Sequence, residues 1–136
     1  MKTPSMDKWL KEAKQDPSAD SCGMYLFHNG VVRLTPKAKV RNLDDPESLE
    51  NAEKEVDHLE FSYEKEKVEA AKEAALQMPG IFYVRVWLNE GTLKIGDDIM
   101  LVLVGGDIRP RVIDALQALV GEIKNHCVVE KEIYIE

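Results

Sequence analysis

Ile99-Met100-Leu101-Val102-Leu103-Val104-Gly105-Gly106-Asp107 is the stretch whose reading decides the fold. An unbroken aliphatic run without polar alternation predicts a strand covered on both faces. Gly105-Gly106-Asp107 ends it, and Arg109-Pro110-Arg111 opens a helix, because proline is tolerated in a helix's first turn. Val112, Ile113, Leu116, Val120 and Ile123 recur at helical spacing and predict the buried stripe of a helix from Arg109 to about Asn125.

Working upstream, Gly91 to Gly96 reads as a short strand bracketed by glycines, and Ile81 to Trp87 as a longer one. Glu64 to Met78 predicts a helix with Val68, Ala71, Ala75 and Met78 on one face, ended by Pro79-Gly80. Val56 to Tyr63 alternates, with Leu59, Phe61 and Tyr63 on one side, as a half-buried strand does. Downstream, Val128 to Ile135 is a last strand. By period two, Lys131 shares a side with Val129, Ile133 and Ile135.

Nearer the N-terminus, Met6, Trp9, Leu10 and Ala13 behind a Ser5 cap predict a short amphipathic helix from Ser5 to Lys14, and Asp16 to Ser21 a loop. Gly23 to His28 is a strand. Asn29-Gly30 then separates it from Val31-Val32-Arg33-Leu34, which reads either as a tight hairpin or as a bulge in one long strand. Thr35 to Glu55 is a loop broken by Pro36 and Pro46, and eight acids between Asp44 and Glu60 face only Lys54. Six strands interleaved with two long helices and a short N-terminal one predict an α+β fold with a mixed, mainly antiparallel sheet.

The chain's 136 residues suit a single domain, and 44% apolar with 32% charged residues reads as an ordinary soluble protein. No apolar run approaches a membrane span, and the first residues lack the apolar core of a signal peptide. Cys22 and Cys127 form neither a disulfide framework nor a metal-site spacing, so the expected compartment is the cytoplasm. A net charge of −7 argues against nucleic acid and anionic membrane as partners. An anionic small substrate would need basic residues gathered locally against that sign.

Four such residues stand out. Arg109 and Arg111 lie at a helix N-terminus, where the macrodipole favours anions, so they are either solvated or hold an anionic ligand. Lys124 lies in the last turn of the same helix, where a cation suits the dipole. Lys131, on a strand among apolar neighbours, is either a snorkelling side chain or a functional amine. His28, His58 and His126 show no ligand spacing for zinc.

The order and spacing of these features resemble the catalytic (large) subunit family of molybdopterin synthase. Gly91-Thr92-Leu93-Lys94-Ile95-Gly96-Asp97 matches its Gly-x-Leu-x-x-Gly-acid segment, and Arg109 holds the arginine of its helix-opening His-Arg pair. Ile123-Lys124 matches the helix-closing Leu-Lys pair, with Lys131 as the second lysine seven residues on. Gly30-Val31-Val32-Arg33 resembles the family's Gly-x-Val-Arg, and Leu59 to Ala75 its strand-then-helix segment. Departures stand at Ile108 (histidine in the family), at Phe61-Ser62-Tyr63 (often Glu-His-Tyr), at Val128-Val129-Glu130 (Pro-apolar-Trp) and at His28, an apolar, often aromatic position.

The resemblance implies one large-subunit-like domain over residues 1–136, an α/β-hammerhead fold and a homodimer. It implies a small ubiquitin-like sulfur-carrier partner whose C-terminal Gly-Gly tail bears a thiocarboxylate. The reaction is transfer of two sulfurs to cyclic pyranopterin monophosphate, an anionic pterin, with no metal or cofactor in the step. Lys124 and Lys131 are then the catalytic candidates, and Arg33 and Arg109 the substrate-binding ones. Two other expectations remain: a paralogue of the same fold that binds a pterin, nucleotide or protein without sulfur transfer, and a regulatory or structural dimer.

Overall fold

The Ile99–Val104 run forms the middle of the strand Asp98–Gly106, at the centre of a three-stranded antiparallel sheet. The computed structural model describes residues 2–40 and 53–135. In chain order these form helix α1 (Met6–Lys14), a 3-10 turn (Pro17–Ser21), strand β1 (Met24–Val31) and short helix α2 (Lys37–Val40). Strand β2 (Val56–Tyr63), helix α3 (Lys65–Leu76), and strands β3 (Ile81–Leu88) and β4 (Gly91–Lys94) follow. Strand β5 (Asp98–Gly106), helix α4 (Arg109–Glu122), a π-helical turn (Ile123–Cys127) and strand β6 (Val128–Tyr134) complete it. Most of the acidic loop expected after Asp44 lies outside the described residues.

The strands form two antiparallel sheets, ordered β1-β5-β3 and β4-β2-β6, where one sheet was expected. The central strand explains its own composition. Met100, Val102 and Val104 face a core shared with α3, α4 and the second sheet, while Leu101 and Leu103 face Trp9 and Ala13 of α1. All five of these strand residues are fully buried, so alternation cannot show in the sequence. The Ser5 side chain caps α1 through the Lys8 N–H at 3.2 Å, as its position predicts.

Asn29-Gly30 makes no hairpin. β1 runs straight through it, pairing with β5 from Met24 opposite Gly106 to Gly30 opposite Met100, and the register slips between Gly30 and Val31. Asn29 spends its side-chain amide on Asp98 Oδ1 (3.0 Å) and the Met100 carbonyl (3.1 Å), which fastens the two strands at the irregularity. A Cβ at Gly30 would sit 3.1 Å from Met100 Cγ, so the glycine serves close packing.

Helix α4 buries Val112, Ala115 and Leu119, with Ile123 continuing the stripe into the π turn. Ile113, expected in the stripe, is instead exposed, because the buried face follows the small Ala115 toward the sheet. A Cβ on Gly106 would lie 2.5 Å from the Gly80 carbonyl oxygen and one on Gly105 2.7 Å from the Tyr25 ring, so both are needed for close approach. No helix among the described residues is long and apolar enough to cross a membrane.

Candidate functional site

Beside the Gly30 end of β1 lies a cavity of about 240 Å³. Its floor is apolar, from Val32, Val56, Leu59 and Met100, and its rim carries Arg33, Lys37, Lys124, Glu130 and Glu132. The polar groups reach it from four separate segments. Arg33 follows the β1 irregularity, and Lys37 opens α2 behind the buried Pro36. Glu130 and Glu132 share one face of β6 by alternation.

Lys124 arrives through the π turn. Ile123 and Cys127, four residues apart, are buried on one side of that turn, which leaves Lys124 half-buried on the cavity side. The expectation of an ordinary last α-helical turn is corrected here: the wider π turn carries the lysine. Three cations thus gather around one hollow in a chain whose net charge is −7. That is the local clustering against the global sign that an anionic ligand requires.

The two acids differ in freedom. Glu132 is held on both oxygens, accepting the Lys37 backbone N–H at 3.0 Å and the Tyr134 hydroxyl at 3.2 Å. Its role is to tie α2 to β6 and so to shape the mouth. Glu130 is a cavity-lining carboxylate at the position just before Lys131.

His28 lies deeper, on β1 opposite Val102 of β5. Its Nε2 is buried and makes no hydrogen bond with the described residues. Burial, and secondarily the charge of Lys124, push its basicity below the ordinary imidazole range.

Of the four site candidates Lys124, Lys131, Arg33 and Arg109, the fold brings Arg33 and Lys124 to this cavity. Lys131 is exposed on the other face of β6, beside Val129. Arg109 stands at the opposite end of α4, roughly 20 Å from Lys124 at 1.5 Å per helical residue. Arg111 is engaged with Asp107 at 2.8 Å. His28, Lys37 and Glu132 were not among the candidates. A histidine on an otherwise apolar strand was the one signal that could have flagged the first.

The family model described as MoaE protein matches residues 3–126, nearly the whole chain. The chain belongs to the MoaE family. MoaE proteins serve molybdenum cofactor biosynthesis, and the helices and antiparallel sheets described above are shared with solved members. The structure of molybdopterin synthase from Staphylococcus aureus superposes with a TM-score of 0.70 at 18% identity, covering 98% of this chain and 88% of that one. The molybdopterin biosynthesis MoaE protein from Burkholderia ambifaria gives 0.69 at 15% identity, covering 99% and 84%. A complex of subunits 1 and 2 of molybdopterin-converting factor from Helicobacter pylori gives 0.61 at 16% identity, covering 98% and 85%. Among curated proteins no sequence match was found.

Proposed function

We propose that this MoaE-family chain is a molybdopterin synthase catalytic subunit, moving two sulfurs onto cyclic pyranopterin monophosphate, one from each of two thiocarboxylated Gly-Gly tails of a small partner delivered in succession. The observation that carries the reading is the meeting of Arg33 and Lys124, 91 positions apart, at one apolar-floored cavity. A cyclic phosphate and a carboxyl-type tail are both anionic, and a guanidinium beside an ammonium suits both. Once the sulfur is bonded to the pterin, water adding to the acyl carbon puts negative charge on its oxygen, which the Lys124 ammonium stabilises; the C–S bond then breaks, leaving sulfur on the pterin and the tail as a carboxylate. The complex of subunits 1 and 2 from Helicobacter pylori supports a two-subunit assembly here.

Lys131 and Arg109 enter this reading through a homodimer. Both lie outside the cavity of their own protomer, so a second copy supplies the route by which they reach a site. Exposed Val129 and Ile135 beside Lys131 give that outward strand face an apolar character suited to burial.

The test is conversion of cyclic pyranopterin monophosphate to molybdopterin by the purified chain with a thiocarboxylated small subunit. Product formation that depends on both proteins is the expected result. A chain that folds, binds the small subunit and gives no product overturns it. That outcome favours a ligand-binding paralogue, for which Glu130 at the cavity rim and the exposed Ile108 at the helix start are the specific observations.

A further inference from the structure

Most polar side chains around the cavity have evident partners or reach solvent. His28 is the exception. Its Nε2 is the buried side-chain polar atom that finds no hydrogen bond among the described residues, and it sits in the wall of the hollow that Arg33, Lys37 and Lys124 line. A buried ring nitrogen without a partner is disfavoured unless something that occupies the cavity satisfies it. The backbone leaves it no neighbour to turn to: β1 presents it opposite Val102, and Gly30, the next residue on that strand face, adds no side chain. A Cβ on Gly30 would lie 3.5 Å from this nitrogen, so the glycine keeps access to it open.

We infer that His28 is a ligand-contacting residue of this cavity, its Nε2–H donating to an anionic oxygen of the phosphate- or carboxylate-bearing molecule held by Arg33 and Lys124. The inference rests on the proposed function for the location of the ligand and adds a contact where the resemblance offers only an apolar or aromatic side chain.

The charges facing His28 determine how it responds. Lys124 comes from the π turn, Arg33 from the end of β1, Lys37 from α2, and Glu130 and Glu132 from β6, while β5 contributes apolar Ile99 and Met100. Glu132 is held in place by the Lys37 N–H and the Tyr134 hydroxyl, both uncharged donors, so it keeps its negative charge at the rim. Burial and, after it, Lys124 favour the neutral ring. An anionic oxygen against Nε2 offsets Lys124 and favours the imidazolium. Binding therefore takes up a proton, and affinity rises as pH falls from about 8 toward 6.

The experiment is calorimetric titration of the full chain with two separate probes, cyclic pyranopterin monophosphate and a short peptide ending in Gly-Gly carboxylate. Each is run at pH 6 and pH 8 in buffers of different ionisation enthalpy. Wild type should bind at least one probe with proton uptake, and which one identifies the source of the anionic oxygen. His28→Phe, which restores an aromatic, should weaken that probe tenfold or more and abolish the uptake. His28→Asn, which keeps a donor but cannot titrate, should retain more affinity than His28→Phe and show no uptake. Thermal melts confirm that both variants fold. Equal affinity and equal proton uptake in wild type and His28→Phe overturn this inference alone. Failure of wild type to bind either probe overturns both the inference and the reading of the cavity beneath it.

Discussion

Arg85 of β3 donates to the Glu12 carboxylate of α1 at 2.6 Å, and its guanidinium lies 4.5 Å from the centre of the Trp9 ring. One side chain thus holds the N-terminal helix by a charge-assisted bond and by stacking. Beneath it Trp9 closes the outer face of the β1-β5-β3 sheet against Leu101 and Leu103. The second face of β5 exists as a buried face only because this helix is docked.

Trp9→Ala should therefore destabilise by about 3–5 kcal/mol in urea melts, the range for truncating a buried aromatic. Arg85→Ala should cost much less, since the ion pair faces solvent. Arg85 holds the Glu12 carboxyl below its usual range. Stability from that pair is present above the ordinary glutamate value of 4.5 and fades as pH falls through the lower folded value. An Arg85→Ala loss as large as that of Trp9→Ala would show that the charge, rather than the ring, docks α1.

Lys124→Ala and Lys131→Ala should each lower molybdopterin formation by roughly a hundredfold, the scale of removing one charge-stabilising donor. Their stability effects should be small. Lys131 is exposed, and substitutions of that kind stay within about 0.5 kcal/mol. Lys124 adds the loss of a dipole contact of roughly 0.3–1 kcal/mol. Full activity in either variant, measured beside its thermal melt, would remove that lysine from the chemistry.

Much of the architecture was legible because it follows local rules. Ser5 caps α1, Pro79-Gly80 stops α3, and an unbroken aliphatic run marks β5. Asn29-Gly30 misleads in one direction only, since a hairpin needs β1 to fold back on itself and β5 outcompetes that pairing. The split into two sheets was illegible, because which strands share edges is set by long-range pairing. Arg33 and Lys124 could be named from the order of motifs. Lys37 and Glu132 could not, because their meeting depends on a 3.0 Å bond between segments 95 residues apart.

Cys127 stands between the two lysines in sequence yet is buried in the core, with its thiol pushed above its ordinary value by burial and then by Glu122. A thiol kept protonated is a poor nucleophile. Cys127→Ala should hold sulfur transfer within tenfold of wild type, and a thiol reagent should label the half-buried Cys22 first in the native chain. A loss beyond tenfold with an unchanged melt would place sulfur on the chain itself.

Light scattering should return a mass of twice 15.4 kDa at micromolar concentration. Because Arg109 and Lys124 occupy opposite ends of α4, an active homodimer also predicts complementation. Mixing Arg109→Ala with Lys124→Ala should restore about a quarter of the wild-type sites if the two residues act across protomers. Mixed variants no more active than either alone would confine each site to one chain.

The pH dependence of stability provides a ligand-free check on His28. Its folded basicity is depressed, so below its ordinary value of 6.5 the unfolded chain binds more protons than the folded one. Stability from the neutral ring is fully present above pH 6.5 and is lost as pH falls from there to the lower folded value. Glu12 and Asp16, both held below their ordinary values of 4.5 and 3.8, begin to contribute losses only at more acid pH. The difference between wild type and His28→Phe across pH 5.5 to 7.5 therefore isolates this ring. His28→Phe should melt at the same temperature or higher at pH 7.5, because an unpartnered nitrogen has been removed, and its advantage should grow at pH 5.5. Parallel melting curves for the two proteins over that window would mean that the ring titrates as it does in the unfolded chain, and that burial and Lys124 do not act on it.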